Sequence, residues 1–258
     1  MTRSWYPTPE RIAPYVERKL IRRETDPRAA EPRAIYSYTE RCHRSGAWDE
    51  VTRRCRGLVL EERTGRLLGR PFDKFFELDE MPESSVDNIP WDSDVVVSDK
   101  LDGVMGIVYF DGTSWQITAY WAFESHVGDY AREHLFPRLR LDRLDPAYTY
   151  IVEIIIRDLL VGVLKYDYEG LVLIGRRNLA TGELDWPADL PRIAAEIGAL
   201  PLPILEPRMP IRDYALAMKR EWHEREGVVL RFANDLMVKI VCNEYHRRFS
   251  ELHGDEEE

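Results

Sequence analysis

The sequence predicts an α+β fold of mostly antiparallel sheets with flanking helices, and three observations carry that prediction. Strand-like runs outnumber helical ones. They follow one another without the regular strand-helix alternation of a doubly wound parallel sheet. With 258 residues, 44% of them hydrophobic, the chain has apolar material for one large core or two small ones.

Taken in order, residues 13–24 place Val16, Leu20 and Ile21 at helical spacing after Pro7, Pro9 and Pro14, which predicts a short leading helix. From Ala34 the texture changes to short runs rich in Val, Ile, Tyr and Phe, broken by glycine-containing turns. Strands are expected at 57–60, 66–69, 95–98, 103–110 and 115–121. Asp111-Gly112 between two of these runs is a hairpin signal, because such pairs take positive backbone angles at little cost. Helical spacing returns at 125–139, 188–198 and 211–222, between strand-like runs at 148–156, 169–176, 227–233 and 236–241. The domain reading is a basic N-terminal helical segment over 1–32, one domain over 33–250 and an acidic disordered tail over 251–258.

Charge and cysteine content narrow the function. The formal net charge of −10 argues against a protein that coats nucleic acid non-specifically, since phosphate binding needs local positive potential. The charge is uneven, however. Residues 1–60 hold thirteen Lys/Arg against eight Asp/Glu, a balance that permits a polyanionic partner, although Arg18, Arg22 and Arg23 read best as a solvated helix face. Cys42, Cys55 and Cys242 have neither metal-site spacing nor the density of a disulfide scaffold, so small buried side chains in a reducing cytoplasm are expected. No leader opens the chain, and its most apolar stretch is interrupted by Glu153 and Arg157, so no membrane partner is expected.

The chemistry-bearing pattern is Lys100-Leu101-Asp102-Gly103. If the strand of Val95, Val96 and Val97 runs on, alternation puts Lys100 and Asp102 on one face, and Gly103 lets a ligand approach the backbone. Alone, this is equally an ordinary lysine paired with Asp102 at a sheet edge. It has company in a fixed order: Arg56-Gly57 before it, then Lys74-Phe75-Phe76-Glu77, and after it Glu153, Glu226-Gly227-Val228-Val229 and Lys239, each on or beside an expected strand.

That series resembles the nucleotidyltransferase motifs of ATP-dependent RNA ligases, of the phage RNA ligase 1 type that is also similar to the ligase domain of fungal tRNA ligases. The resemblance runs from Ile35 to Phe249 and includes Ile35-Tyr36-Ser37-Tyr38, Cys55-Arg56-Gly57-Leu58-Val59-Leu60-Glu61 and Arg70-Pro71-Phe72-Asp73-Lys74-Phe75-Phe76-Glu77-Leu78. It implies an ATP-grasp-like ligase core and a three-step reaction. A lysine attacks the α-phosphate of ATP, AMP passes to an RNA 5′-phosphate, and a 3′-hydroxyl displaces AMP.

Carried over by position, Lys100 is the nucleophile, Asp102 and Lys239 are catalytic, and Arg56, Lys74, Phe76, Gly103, Glu153, Glu226, Gly227 and Val229 bind nucleotide. A protonated lysine is no nucleophile, so neighbouring charge must lower its pKa or remove its proton. Departing pyrophosphate needs cations, which suits Arg56, Lys74 and Lys239. Glu153 and Glu226 suit Mg²⁺ or Mn²⁺, hard ions that take few protein ligands beside phosphate. Singly, Arg56 and Lys74 also read as surface charges, and Glu153 as an ion-pair partner of Arg157 or Lys165.

Two departures stand out. The family's last motif is usually Lys-x-Lys, whereas this chain has Lys239-Ile240-Val241. A cation is also expected shortly after the nucleophile, yet no Lys or Arg occurs between Lys100 and Arg132, and the corresponding strand end is Ala119-Tyr120-Trp121. Lys165, Arg231, Arg247 and His246 are the candidates to replace them. No C-terminal specificity domain like that of the phage relatives is expected, which would leave choice of RNA to the N-terminal segment, the core surface or a partner protein. The alternatives are a GTP-using capping-type transferase, a DNA ligase, and a non-catalytic nucleotide- or RNA-end-binding module.

Overall fold

In the computed structural model, residues 5–157, 162–221 and 224–254 are described. The chain runs α1 (Pro9–Glu17), β1 (Ile21–Thr25), β2 (Arg33–Tyr38), α2 (Glu40–Arg44), α3 (Glu50–Arg54), β3 (Arg56–Glu61), β4 (Leu67–Gly69), β5 (Phe76–Glu77), β6 (Val95–Lys100), β7 (Val104–Phe110), β8 (Trp115–Ala119) and α4 (His126–Tyr130). It continues through β9 (Tyr148–Ile155), β10 (Gly170–Asn178), α5 (Leu190–Ile197), β11 (Leu200–Pro201), β12 (Ile204–Leu205), α6 (Ile211–Arg220), β13 (Gly227–Phe232), β14 (Met237–Val241) and α7 (Asn243–His253). The α+β reading and its antiparallel bias hold.

The chain divides into two compact units. The first comprises Met1–Lys74, Val104–Ile154 and Gly170–Pro201. It holds a four-stranded sheet, β1-β2-β3-β4, and a five-stranded sheet, β11-β10-β9-β7-β8. Ile35, Val59 and Leu68 from one sheet pack against Ile107 and Tyr109 from the other, together with Phe123. On the far side of the four-stranded sheet, Ile12 and Val51 close over Ile21, Ala34, Tyr36, Leu58 and Leu60. Each such fully buried aliphatic contributes roughly 1.5–3 kcal/mol. The expected hairpin joins β7 to β8, with Phe110 opposite Trp115 and Gly112 at φ +108°.

The second unit comprises Phe75–Gly103, Ile155–Glu169 and Leu202–Glu258. Its sheet, β12-β6-β13-β14-β5, is antiparallel except for the parallel β14-β5 edge. Val97, Val228, Leu230, Phe232, Val238 and Ile240 form one apolar face, covered by Ala215 and Met218 of α6. Alternation turns the intervening residues to the opposite face.

Several elements differ from expectation. The leading helix stops at Glu17; Lys19 takes φ +59°, and Ile21–Thr25 pairs with β2 as a strand. Strand pairing there overrides the local helical spacing. Arg22 and Arg23 therefore lie on a strand, where Arg22 meets Glu24 at 3.0 Å and Arg23 meets Glu62. Helices α2 and α3 are too short to show periodicity, and their capping residues announce them. Thr39 accepts from the Cys42 amide, and Asp49 from those of Val51 and Thr52.

Helix α7 carries Glu251, Leu252 and His253, so the first part of the expected disordered tail is helical. Residues 255–258 of that expectation lie outside the described residues. No helix among the described residues is long and apolar enough to cross a membrane, and all three cysteines are buried and free.

Candidate active site

The second unit places four of the predicted residues, Lys100, Gly227, Val229 and Lys239, on one sheet face. Residues directly opposite each other on neighbouring strands share a face. Gly227 lies opposite both Lys100 and Val241, Val229 opposite both Ser98 and Lys239, and Lys239 opposite Glu77. The face turned away from the apolar core thus carries Ser98, Lys100, Gly227, Val229, Lys239 and Glu77. Phe76 pairs with Val238, which places it on the other face, where it is buried.

Lys100 ends β6 and ion-pairs with Glu226, whose side chain is 11% exposed against 22% for Lys100. Burial raises the pKa of Glu226, and the charge and hydrogen bond of Lys100 offset this only in part. Gly227 is required where it stands, because a Cβ there would run into the Ile240 backbone carbonyl. The absence of a side chain also leaves the position opposite Lys100 open.

Asp102 is held differently from the sequence expectation. The strand stops at Lys100, and Leu101–Gly103 turn out of the sheet, so alternation does not place the carboxylate. Local contacts from distant segments do. Its Oδ2 accepts the amides of Val163 and Leu164 at 2.7 and 2.8 Å, and its Oδ1 accepts the Tyr245 hydroxyl at 2.6 Å. The Asp102 amide donates to the Tyr166 hydroxyl at 2.8 Å. A Cβ at Gly162 would fall on the Asp102 carboxylate, so that loop closes only with glycine. Burial raises the pKa of both tyrosines, and for Tyr245 the charge of Glu226 adds to it, so both hydroxyls stay protonated.

Glu77 links the remaining cations. Its carboxylate lies 3.6 Å from the Lys239 ammonium and 3.0 Å from His246 Nε2. Burial opposes its ionisation, but the hydrogen bond from His246 and the charges of Lys239, His246 and Lys100 outweigh it and hold the pKa down at about 2. Neither Glu77 nor Tyr245 was singled out from sequence as a site residue. Glu77 adjoins the motif around Lys74, and Tyr245 belongs to a helix that was missed. Of the four candidate replacements, His246 joins this group through its ring nitrogen. Arg231 is engaged by Asp235 at 2.9 Å, and Arg247 by Glu244 and Glu251. Val241 sits in an apolar cluster with Cys242 and Tyr245.

Three predicted residues belong to the first unit. Arg56 opens β3 with its guanidinium 5.9 Å from the centre of the Tyr120 ring. Gly57 beside it has φ +102°, and a Cβ there would meet the Tyr120 carbonyl oxygen at 2.9 Å. Lys74 is buried, with its ammonium 5.4 Å from the Trp48 ring centre. Glu153 is half-buried on β9 opposite Met105, and its charge adds to the burial that raises the Tyr120 pKa. Gly103 closes the turn after Asp102 in the second unit.

Among the described residues, no group of three His, Cys, Asp or Glu side chains is arranged to hold a metal. Glu226 offers the hard oxygen donors that suit Mg²⁺ or Mn²⁺ bound chiefly through phosphate and water.

The profile of the RNA ligase family matches residues 54–249. No curated protein matches the chain. Among solved structures, it is similar to the RNA ligase of Naegleria gruberi, a lysine-to-alanine mutant with ATP and Mn (16% identity, 71% of this chain and 60% of that one, TM-score 0.54). It is likewise similar to an archaeal ATP-dependent RNA ligase (15% identity, 93% and 62%, TM-score 0.60). A third is a proposed ATP-dependent DNA ligase from Aquifex aeolicus (12% identity, 91% and 62%, TM-score 0.61). At these identities the likeness is one of fold, and the chain spans less than two thirds of each of those ligases.

Proposed function

Because the chain belongs to the RNA ligase family, we propose that it is an ATP-dependent RNA ligase working through a covalent lysyl-AMP at Lys100. The observation that carries this reading is the position of Lys100 on the polar sheet face, paired with the buried Glu226, opposite Gly227, on the same face as Lys239. Attack by the Lys100 Nζ forms a nitrogen–phosphorus bond to the α-phosphate as the bond to pyrophosphate breaks. The lysine must first give up a proton, and Glu226, its proton affinity raised by burial, is the adjacent acceptor. Lys239 supplies positive charge for the departing pyrophosphate. A bound Mg²⁺ or Mn²⁺ would neutralise phosphate charge, and Glu226 is the carboxylate of the second unit offered to it.

The AMP then passes to an RNA 5′-phosphate and is displaced by a 3′-hydroxyl. A cytoplasmic setting agrees with the three free, buried cysteines, and a partner protein is a further candidate source of substrate choice. The test is labelling with α-³²P-ATP and Mg²⁺ or Mn²⁺, followed by denaturing electrophoresis. A covalent adduct is expected, lost in Lys100→Ala; no adduct with ATP, GTP or NAD⁺ would sink the reading. A second reading, a nucleotide-binding module without transfer, has Val241 in its favour. Tight ATP binding without pyrophosphate release would select it. A panel of 5′-phosphorylated RNA and DNA strands then separates RNA from DNA joining.

A further inference from the structure

Most arginines near the N-terminus are engaged with carboxylates. Arg11 meets Glu50 at 3.3 Å, Arg33 meets Asp111 at 2.6 Å, Arg44 meets Glu40 at 3.0 Å and Arg54 meets Glu50 at 2.7 Å. Arg18, Lys19 and Arg41 are different: each is exposed, and none makes an ion pair among the described residues. They are also not scattered. All three line one open concavity of the first unit, together with Glu17, Ser45 and Ala47.

The frame beneath these cations is fixed. Arg18 caps α1 with its amide on the Pro14 carbonyl at 3.2 Å, and Lys19 turns the chain into β1 at φ +59°. The Lys19 carbonyl accepts the Thr39 hydroxyl at 2.7 Å, and Thr39 in turn caps α2, which carries Arg41. The Ser45 hydroxyl donates to the Arg41 carbonyl at 2.7 Å. Directly after Ala47 comes Trp48, edge-to-face with Tyr38 at 5.0 Å and with His43 at 5.9 Å, and under the Lys74 ammonium.

In a chain of net charge −10, cations not already neutralised are the ones best placed to hold a polyanion. Unpaired cations in a preformed open groove can track the backbone of a flexible single strand. We propose that this concavity binds the phosphodiester backbone of single-stranded RNA, with Arg18, Lys19 and Arg41 contacting phosphates. The choice of RNA as the polyanion rests on the ligase reading above.

The test is fluorescence anisotropy with a labelled, 5′-phosphorylated single-stranded RNA over a salt series, comparing wild type with the combined Arg18→Gln, Lys19→Gln and Arg41→Gln variant. Each phosphate contact to a single strand contributes a slope of about 0.7 in log Kd against log salt, so losing three lowers the slope by about 2. Affinity should fall on the order of tenfold or more, while lysyl-AMP formation with ATP stays at the wild-type level. Should the combined variant fold poorly, Arg41→Gln alone is expected to lower the slope by about 0.7. Wild-type slope and affinity in a folded variant would overturn the proposal, including the case in which the groove serves an acidic protein. Absence of adduct in the wild type would instead remove the ligase reading, which keeps the two failures distinct.

Discussion

Replacing Glu77 by Gln should convert a pH-dependent part of the protein's stability into a pH-independent one. Its pKa falls from an ordinary 4.5 to about 2 in the folded protein, a difference of about 2.5 units. At 1.36 kcal/mol per unit this is at most about 3 kcal/mol. The side chain is 30% exposed, and solvent screening reduces the figure to about 1–2 kcal/mol. The sign follows from the direction of the shift. A carboxyl with a depressed folded pKa stabilises the fold fully above its unfolded value, and that contribution drains away as pH falls from 4.5 toward 2. Urea unfolding of wild type and Glu77→Gln at pH 7, 5, 4 and 3 reads the effect as a difference, so the other carboxylates, common to both proteins, cancel. The gap should be about 1–2 kcal/mol at neutral pH and narrow steadily below pH 4.5. Parallel curves from pH 7 to 3 would refute the claim that Lys239 and His246 hold this carboxylate ionised.

Three further outcomes follow from the same geometry. Glu226→Gln removes the anion beside Lys100 and should slow adduct formation on the order of 100-fold in rapid-quench labelling. In the wild type, the raised pKa of Glu226 places the acid limb of that rate above the ordinary glutamate value of 4.5, whereas an acid limb at or below it would contradict the burial argument. Tyr245→Phe deletes a charge-assisted hydrogen bond to Asp102, worth roughly 1.5–3 kcal/mol and partly replaced by water at this half-exposed carboxylate. Its adduct rate should drop while ATP affinity by calorimetry is unchanged; equal loss of both would make Tyr245 merely structural. Gly227→Ala drives a Cβ into the Ile240 carbonyl between two central strands, at a cost of roughly 1–3 kcal/mol or more, measured as a lower urea midpoint.

The strands of the second unit were legible because they are short runs rich in β-branched residues. Val95 to Lys100, Gly227 to Phe232 and Met237 to Val241 are such runs, and a strand's period of two divides each between two faces. The face shared by Lys100, Val229 and Lys239 follows from that period once the register is known, and register is what a single sequence does not contain. Residues 21–24 read as helix because Leu20 and Ile21 continue the helical spacing of Val16, and only pairing with β2 decides against it. Helix α7 did leave a signal, Tyr245, Phe249 and Leu252 at spacings of four and three. Its charged surroundings and two exposed apolar positions kept that signal weak.

The site residues that escaped sequence reasoning are those fixed by contacts across long stretches of chain. Tyr245 meets Asp102 over 143 positions and His246 meets Glu77 over 169, yet the two are consecutive in the first turn of α7. One helix start therefore serves both the turn after the nucleophile and the carboxylate beside Lys239. This also accounts for Val241, which stands where a second lysine is expected. Val241 packs with Cys242 and Tyr245, and with Val163 and Leu164, the residues whose amides hold Asp102. A lysine at 241 would have to desolvate its ammonium in that apolar cluster or displace the Tyr245 ring to escape it. The chain keeps the Tyr245 anchor on Asp102, and the neighbouring His246 sets a ring nitrogen on the Glu77 carboxylate that also meets Lys239.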